Sequence, residues 1–215
     1  DVTPGYSLVS LDAETGVPDS DFGKNGIVDL FVGLRNADDP RFPFPDIGLS
    51  AAPFVMNDVI VVGAAHRVGM RPRSKANVKG DIRGFDVRTG ELLWTFRTIP
   101  ERGDYGYESW LDDGIEFTGN TGVWAPISGD PELGHVYLPI ESATGDRFGG
   151  DRPGDNLFSD SIVALDIKTG ERQWHYQLTH HDIWDWDIPA APVISDLPNG
   201  QKVLMSVTKQ SWIYT

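Results

Sequence analysis

Within residues 180–189 the chain places two imidazoles, three carboxylates and two indoles, in His180-His181-Asp182-Ile183-Trp184-Asp185-Trp186-Asp187-Ile188-Pro189. A carboxylate can take the proton of a hydroxyl or hold a hard cation through oxygen. Indoles beside it supply flat apolar faces. The competing reading is an acidic turn packed by tryptophan. Three long connections carry further polar groups: residues 64–80 are basic (His66, Arg67, Arg71, Arg73, Lys75, Lys79), residues 100–120 acidic and aromatic, and residues 141–159 rich in Gly and Asp. Long connections without structure of their own are often functional, and a rigid scaffold is what lets them position side chains.

That scaffold is written in a repeat. Leu11-Asp12-Ala13-Glu14-Thr15-Gly16, Phe85-Asp86-Val87-Arg88-Thr89-Gly90 and Leu165-Asp166-Ile167-Lys168-Thr169-Gly170 share one pattern, spaced 74 and 80 residues apart. In the second and third copies a Trp (Trp94, Trp174) follows the Asp by eight residues, whereas the first copy has Ser20 there. Asp accepts backbone amides within its own turn and Gly tolerates positive φ, so each copy predicts strand, tight turn, strand. The spacing leaves room for four strands and a long loop per unit, the pattern of propeller blades.

Short β-branched or aromatic runs at residues 6–11, 52–55, 59–63, 82–86, 92–97, 136–139, 162–166, 173–177, 203–207 and 211–215 predict strands, with hairpin turns at Asn57-Asp58 and Asn199-Gly200. No sustained helical periodicity interrupts them, so the predicted class is all-β. The last run stops without a turn, which leads us to expect about three blades, with residues 1–215 forming part of a single propeller domain and the remaining blades lying elsewhere.

Composition narrows the function. The 215 residues hold 18 Lys plus Arg against 32 Asp plus Glu, a net charge of −14, which argues against nucleic acid or an anionic membrane as partner. There is no cysteine, so disulfides and thiolate metal sites are excluded. The longest apolar run, residues 59–65, falls far short of the roughly 20 residues a membrane helix needs. No Gly-rich phosphate cradle is present.

The run Thr179-His180-His181-Asp182-Ile183-Trp184-Asp185-Trp186-Asp187-Ile188-Pro189 and the third repeat before it resemble the pyrroloquinoline quinone (PQQ) dehydrogenases, especially the membrane-type glucose dehydrogenases. Ile82-Arg83-Gly84-Phe85-Asp86, Trp124-Ala125-Pro126 and Val136-Tyr137-Leu138-Pro139 extend the likeness from about residue 50 onward. It implies an eight-bladed β-propeller carrying PQQ and a divalent cation, expected to be Ca²⁺, on its axis. It also implies Asp185 as general base beside the metal, Trp124 as the floor under the cofactor and Lys209 as the cation at the quinone oxygens. Where the family holds its cation with Asn, this chain reads Ile140-Glu141-Ser142, making Glu141 the expected oxygen donor. After Val62-Gly63, where a second ligand is expected, Ala64-Ala65 offers none. Arg67, Arg71 or Arg73 could bind carboxylates of the cofactor. The implied activity is oxidation of an alcohol or aldose sugar with electrons passed to a quinone or cytochrome, on the periplasmic side and membrane-associated through segments outside this sequence. The alternative is a non-catalytic propeller that binds proteins as a scaffold.

Overall fold

The computed structural model describes residues 6–36, 47–49, 51–65 and 75–215. The expectations attached to His66, Arg67, Arg71 and Arg73 lie outside these residues. Thirteen strands are described: β1 (Ser7–Val9), β2 (Ile27–Asp29), β3 (Phe54–Met56), β4 (Val59–Val62), β5 (Ile82–Asp86), β6 (Leu92–Phe96), β7 (Ser128–Asp130), β8 (His135–Pro139), β9 (Ser161–Asp166), β10 (Arg172–Gln177), β11 (Val193–Asp196), β12 (Lys202–Val207) and β13 (Ile213–Tyr214). They form antiparallel meanders in the orders β1-β2, β3-β4-β5-β6, β7-β8-β9-β10 and β11-β12-β13. Two repeats are thus complete four-stranded sheets, flanked by a two-stranded and a three-stranded sheet.

Each signature closes its turn in the same way. The Oδ1 atoms of Asp12, Asp86 and Asp166 accept the Thr amide three residues on at 2.8, 2.8 and 2.9 Å, and the Thr hydroxyl as well. Gly16, Gly90 and Gly170 take φ of 71, 70 and 71°, the left-handed conformation that favours glycine. Asn57 and Asp58 both take positive φ (50 and 65°) between β3 and β4, matching a type I′ hairpin.

Adjacent repeats lock to one another through the Trp four residues after the turn glycine. Trp94 Nε1 donates to the Ile167 carbonyl at 2.9 Å, and a Cβ on Gly170 would meet the Trp94 ring at 2.6 Å. The indole of one repeat therefore lies on the glycine turn of the next. In the degenerate first copy Phe22, not residue 20, fills this place: a Cβ on Gly90 would approach its Cζ at 3.0 Å.

Three strands escaped the sequence reading, and their pairing explains them. β7 reads Ser-Gly-Asp, a poor strand sequence, yet it is held by β8 through Ser128↔Tyr137 and Asp130↔His135. β2 and β11 are likewise short partners of predicted strands. The expected strand at 211–215 shrinks to Ile213–Tyr214 and that at 6–11 to Ser7–Val9. One four-residue helix, α1 (Gly114–Phe117), and two 3₁₀ turns at Tyr107–Ser109 and Gly149–Asp151 sit in the long loops. Among the described residues no helix is long and apolar enough to cross a membrane.

The antiparallel register fixes where the loops emerge. Pro139 pairs with Ile162 and Ser161 with Gln177, so the end of β8, the start of β9 and the end of β10 share one edge. The signature turn between β9 and β10 lies at the opposite edge. The chain enters β11 and leaves β12 on one side, because Val193 pairs with Met205 while Asp196 pairs with Lys202.

Candidate active site

Four chain segments meet at the loop edge. Residues 119–124 run beside 141–144: the Glu141 amide donates to the Gly122 carbonyl at 3.0 Å, the Gly122 amide donates to the Glu141 side-chain Oε1 at 3.2 Å, and Asn120 bridges to Ala143. Asn120 and Thr121 are forced into positive φ (59 and 60°), and a Cβ on Gly122 would collide with the Ala64 carbonyl. This close approach brings Trp124 to the start of β7. Residues 178–189 leave β10 and wrap around Asp182, whose Oδ1 accepts the Trp184 amide at 3.2 Å and whose Oδ2 accepts the Trp186 amide at 3.0 Å. The knot gives Asp185 a left-handed φ of 63°. Lys209 follows β12.

Three of the four predicted site residues come together here. Lys209 Nζ lies 3.1 Å from Asp185 Oδ1 and 2.8 Å from Asp187 Oδ2. It also stands 5.7 Å from the centroid of the Trp124 ring, while Trp124 Nε1 donates to Asp187 Oδ2 at 3.2 Å. Burial pulls the Lys209 ammonium down, but hydrogen bonds and charge from Asp187 and Asp185 outweigh it and hold the group above the ordinary lysine range. Trp124 also lines an apolar cleft of about 550 Å³ with Ala51, Ala52, Pro53, Phe54, Pro126 and Ile127.

Glu141 is set behind this network. Its neighbour Ser142 donates its amide to Asp187 Oδ1 at 2.8 Å. Burial, then the charge of Asp187, pushes the Glu141 carboxyl well above the usual range, despite hydrogen bonds from Asn120 and Gly122. Among the described residues no three His, Cys, Asp or Glu side chains gather as metal ligands. Asp185 Oδ2 is met instead by Arg147 Nη2 at 3.1 Å.

Sequence reasoning assigned no role to Asp187, Ser142, Asp160 or Arg147. Asp187 is the hub, joining Trp124, Lys209 and the Ser142 amide. Its signal was present in the alternation Asp185-Trp186-Asp187, which sends two carboxylates from one short loop. Ser142 and Asp160 carry no such pattern, since only the pairing of β8 with β9 brings them together. The two histidines bear no visible chemistry. His181 is a brace: its Nδ1 lies 2.8 Å from the Gly154 carbonyl and its amide donates to the Asp155 carbonyl.

A meandering sheet repeat fastened by aromatic-on-glycine contacts, with a carboxylate, an ammonium and a flat indole converging at one edge, is the architecture of a β-propeller of the quinoprotein dehydrogenase class. Residues 2–215 match the family described as "PQQ: Glucose/ethanol/alcohol dehydrogenase, beta-propeller domain", and the chain belongs to that family. It is 37% identical over 199 residues to the quinate/shikimate dehydrogenase (quinone) of Acinetobacter baylyi, covering 89% of this chain and 22% of that protein. It is also 37% identical over 199 residues to the quinoprotein glucose dehydrogenase of Escherichia coli, covering 91% of this chain and 24% of that one. Among solved structures, the quinohemoprotein alcohol dehydrogenase ADHIIG of Pseudomonas putida HK5 superposes with a TM-score of 0.76 at 28% identity, over 97% of this chain and 29% of that one. The chain therefore spans about a quarter of the length of the curated relatives it matches.

Proposed function

We propose that residues 1–215 form one sector of a single, eight-bladed propeller domain, and that the complete protein is a PQQ-dependent dehydrogenase oxidising an alcohol or aldose sugar. The observation that carries this reading is the Lys209 ammonium, bridging Asp185 and Asp187 beside Trp124. A scaffold has no use for such an arrangement.

Bound PQQ would accept the hydride from the substrate carbon. Asp185 takes the hydroxyl proton, the step that turns an alcohol into a carbonyl compound once the C–H hydride has left. Lys209 keeps Asp185 in place and, with the quinone bound, would offer its ammonium to negative charge developing at the cofactor oxygens. Trp124 offers its indole as the floor for a planar ring system, and its N–H to Asp187 fixes the ring orientation. These residues fit the quinone.

For the cation, Glu141 offers a buried carboxylate whose electrostatic strain a positive ion would relieve, and Asp185 completes the pair we assign to it. Both are hard oxygen donors suited to Ca²⁺. We further propose a periplasmic location, membrane association through segments outside this sequence, and a quinone or cytochrome as electron acceptor.

The test uses the complete protein reconstituted with PQQ and Ca²⁺, with dye reduction followed across alcohols and aldoses. Asp185→Asn is expected to lower turnover at least ~10²-fold while PQQ binding persists. A complete protein that neither binds PQQ nor turns over any of these substrates would establish the scaffold reading instead.

A further inference from the structure

Asp185 is held by two cations of very different character. Lys209 is shared with Asp187 and only 33% exposed, whereas the Arg147 side chain is 77% exposed and makes its polar contact with Asp185 alone among the described residues. A guanidinium carries five N–H donors, so most of its hydrogen-bonding capacity is not taken up among the described residues. So exposed an ion pair contributes little stability. Nor does it help the base, because a cation on Oδ2 competes with an incoming hydroxyl for that oxygen.

The loop that delivers Arg147 is nonetheless firmly built. Arg152, fully buried, donates to Asn156 Oδ1 at 2.7 Å, to the Gly145 carbonyl at 3.2 Å and to the Asp182 carbonyl. It thereby ties the start of the Arg147 turn directly to the loop that carries Asp185. Gly145 takes φ of 90°, and the Phe148 amide closes the turn onto its carbonyl at 2.9 Å. On either side of Asp185 in sequence, Trp184 and Trp186 stack at 6.2 Å and 25°, exposed by 66% and 36%. The mouth thus combines an anchored, underused guanidinium with aromatic faces.

We propose that Arg147 binds a carboxylate of the substrate, next to the hydroxyl that Asp185 deprotonates, so that the substrate class is a hydroxy acid. This rests on the dehydrogenase reading. The planar fork of Arg pairs bidentately with a carboxylate, and taking the substrate's carboxylate frees Asp185 Oδ2 for the hydroxyl. Because the guanidinium already touches the base, the two substrate groups must be close together, as in 2- or 3-hydroxy acids. The reaction balances as an ordinary alcohol oxidation: the C–H hydride goes to PQQ, the O–H proton to Asp185, and the carboxylate emerges unchanged on a keto acid.

The experiment compares 2- and 3-hydroxy acids with their methyl esters, using the complete protein reconstituted with PQQ, and titrates PQQ binding in parallel. The wild type is expected to prefer the acids. Arg147→Ala should lower the acid-to-ester ratio of kcat/KM about 10- to 100-fold, chiefly through KM, the loss expected for a charge-assisted hydrogen bond. Arg147→Lys should keep part of the ratio. Wild-type turnover without acid preference, or equal loss on acid and ester, overturns the proposal and leaves the dehydrogenase reading intact. Weakened PQQ binding in Arg147→Ala also overturns it, since the guanidinium then serves a carboxylate of the cofactor. Absence of all wild-type turnover overturns both.

Discussion

Ser142 has one hydroxyl proton and two carboxylate neighbours, Asp160 Oδ1 at 2.8 Å and Asp182 Oδ2 at 2.9 Å. One proton cannot serve both, so one carboxyl must bring its own. Asp160 is the one: burial, then the charge of Asp182, pushes it from the ordinary value of 3.8 up to about 8. Neutral Asp160 donates to Ser142, which donates to Asp182, which in turn holds the amides that shape the Asp185 loop. Because the folded protein binds this proton more tightly than the unfolded chain, its contribution to stability falls as pH rises between those two values and is constant above them. Asp160→Asn, which cannot ionise, should flatten that part of the profile; denaturant midpoints of variant and wild type at about pH 5 and about pH 8 measure it. An unchanged slope would mean that Asp160 is charged in the fold. The link was not legible in the sequence: Asp182 stands in the run that the sequence singles out, but nothing there joins it to Ser142 and Asp160, which lie 40 and 22 residues away. Asp185, Trp124 and Lys209 could be named beforehand because a family motif marks each one, not because their spacing brings them together.

At the scale of elements, the strands that the sequence revealed are those whose side chains pack, and the strands it concealed are those that a partner recruits. β5 was predicted at its observed bounds, Ile82–Asp86, because its first four residues are buried and its end is marked by a signature turn. β7 was missed because its only claim to be a strand is the ladder of β8. β5 also contains a constraint that propensity misses. Gly84 pairs with Trp94 across the sheet, and a Cβ there would come within 2.2 Å of the indole Cε2. Elsewhere a strand glycine weakens the sheet, but here it makes room for the fastening side chain. Gly84→Ala must therefore displace Trp94, and overpacking of this kind costs roughly 1–3 kcal/mol. Urea denaturation would show the loss as a lower midpoint with unchanged slope; a midpoint equal to wild type would mean that the indole can shift without cost.

Across the whole molecule, adjacent repeats are joined by few side chains, and these can be ranked. Lys202, on β12, reaches Asp130 at 3.0 Å, Glu132 at 3.1 Å and Asp196 at 3.2 Å, which clips the β11-β12-β13 sheet to the β7-β8-β9-β10 sheet. The Trp94 contact is of another kind: the ring is 7% exposed, belongs to the main apolar cluster and donates to a carbonyl of the next repeat. Trp174, its equivalent one repeat later, is 37% exposed and packs on Tyr137 at 5.8 Å, without a following signature turn in this chain. Trp94→Ala should destabilise by about 3–5 kcal/mol, as for other buried large-to-small changes. Trp94→Phe keeps an aromatic ring but loses the bond to Ile167, whose own contribution is about 0.5–1.5 kcal/mol. Both substitutions act at the signature-turn edge, opposite the loops that hold Trp124, Asp185 and Lys209. In the complete protein, below the unfolding transition, Trp94→Phe should therefore lower the denaturation midpoint without changing PQQ affinity. A matching loss of PQQ affinity would show that the repeats transmit strain from one edge of the sheets to the other.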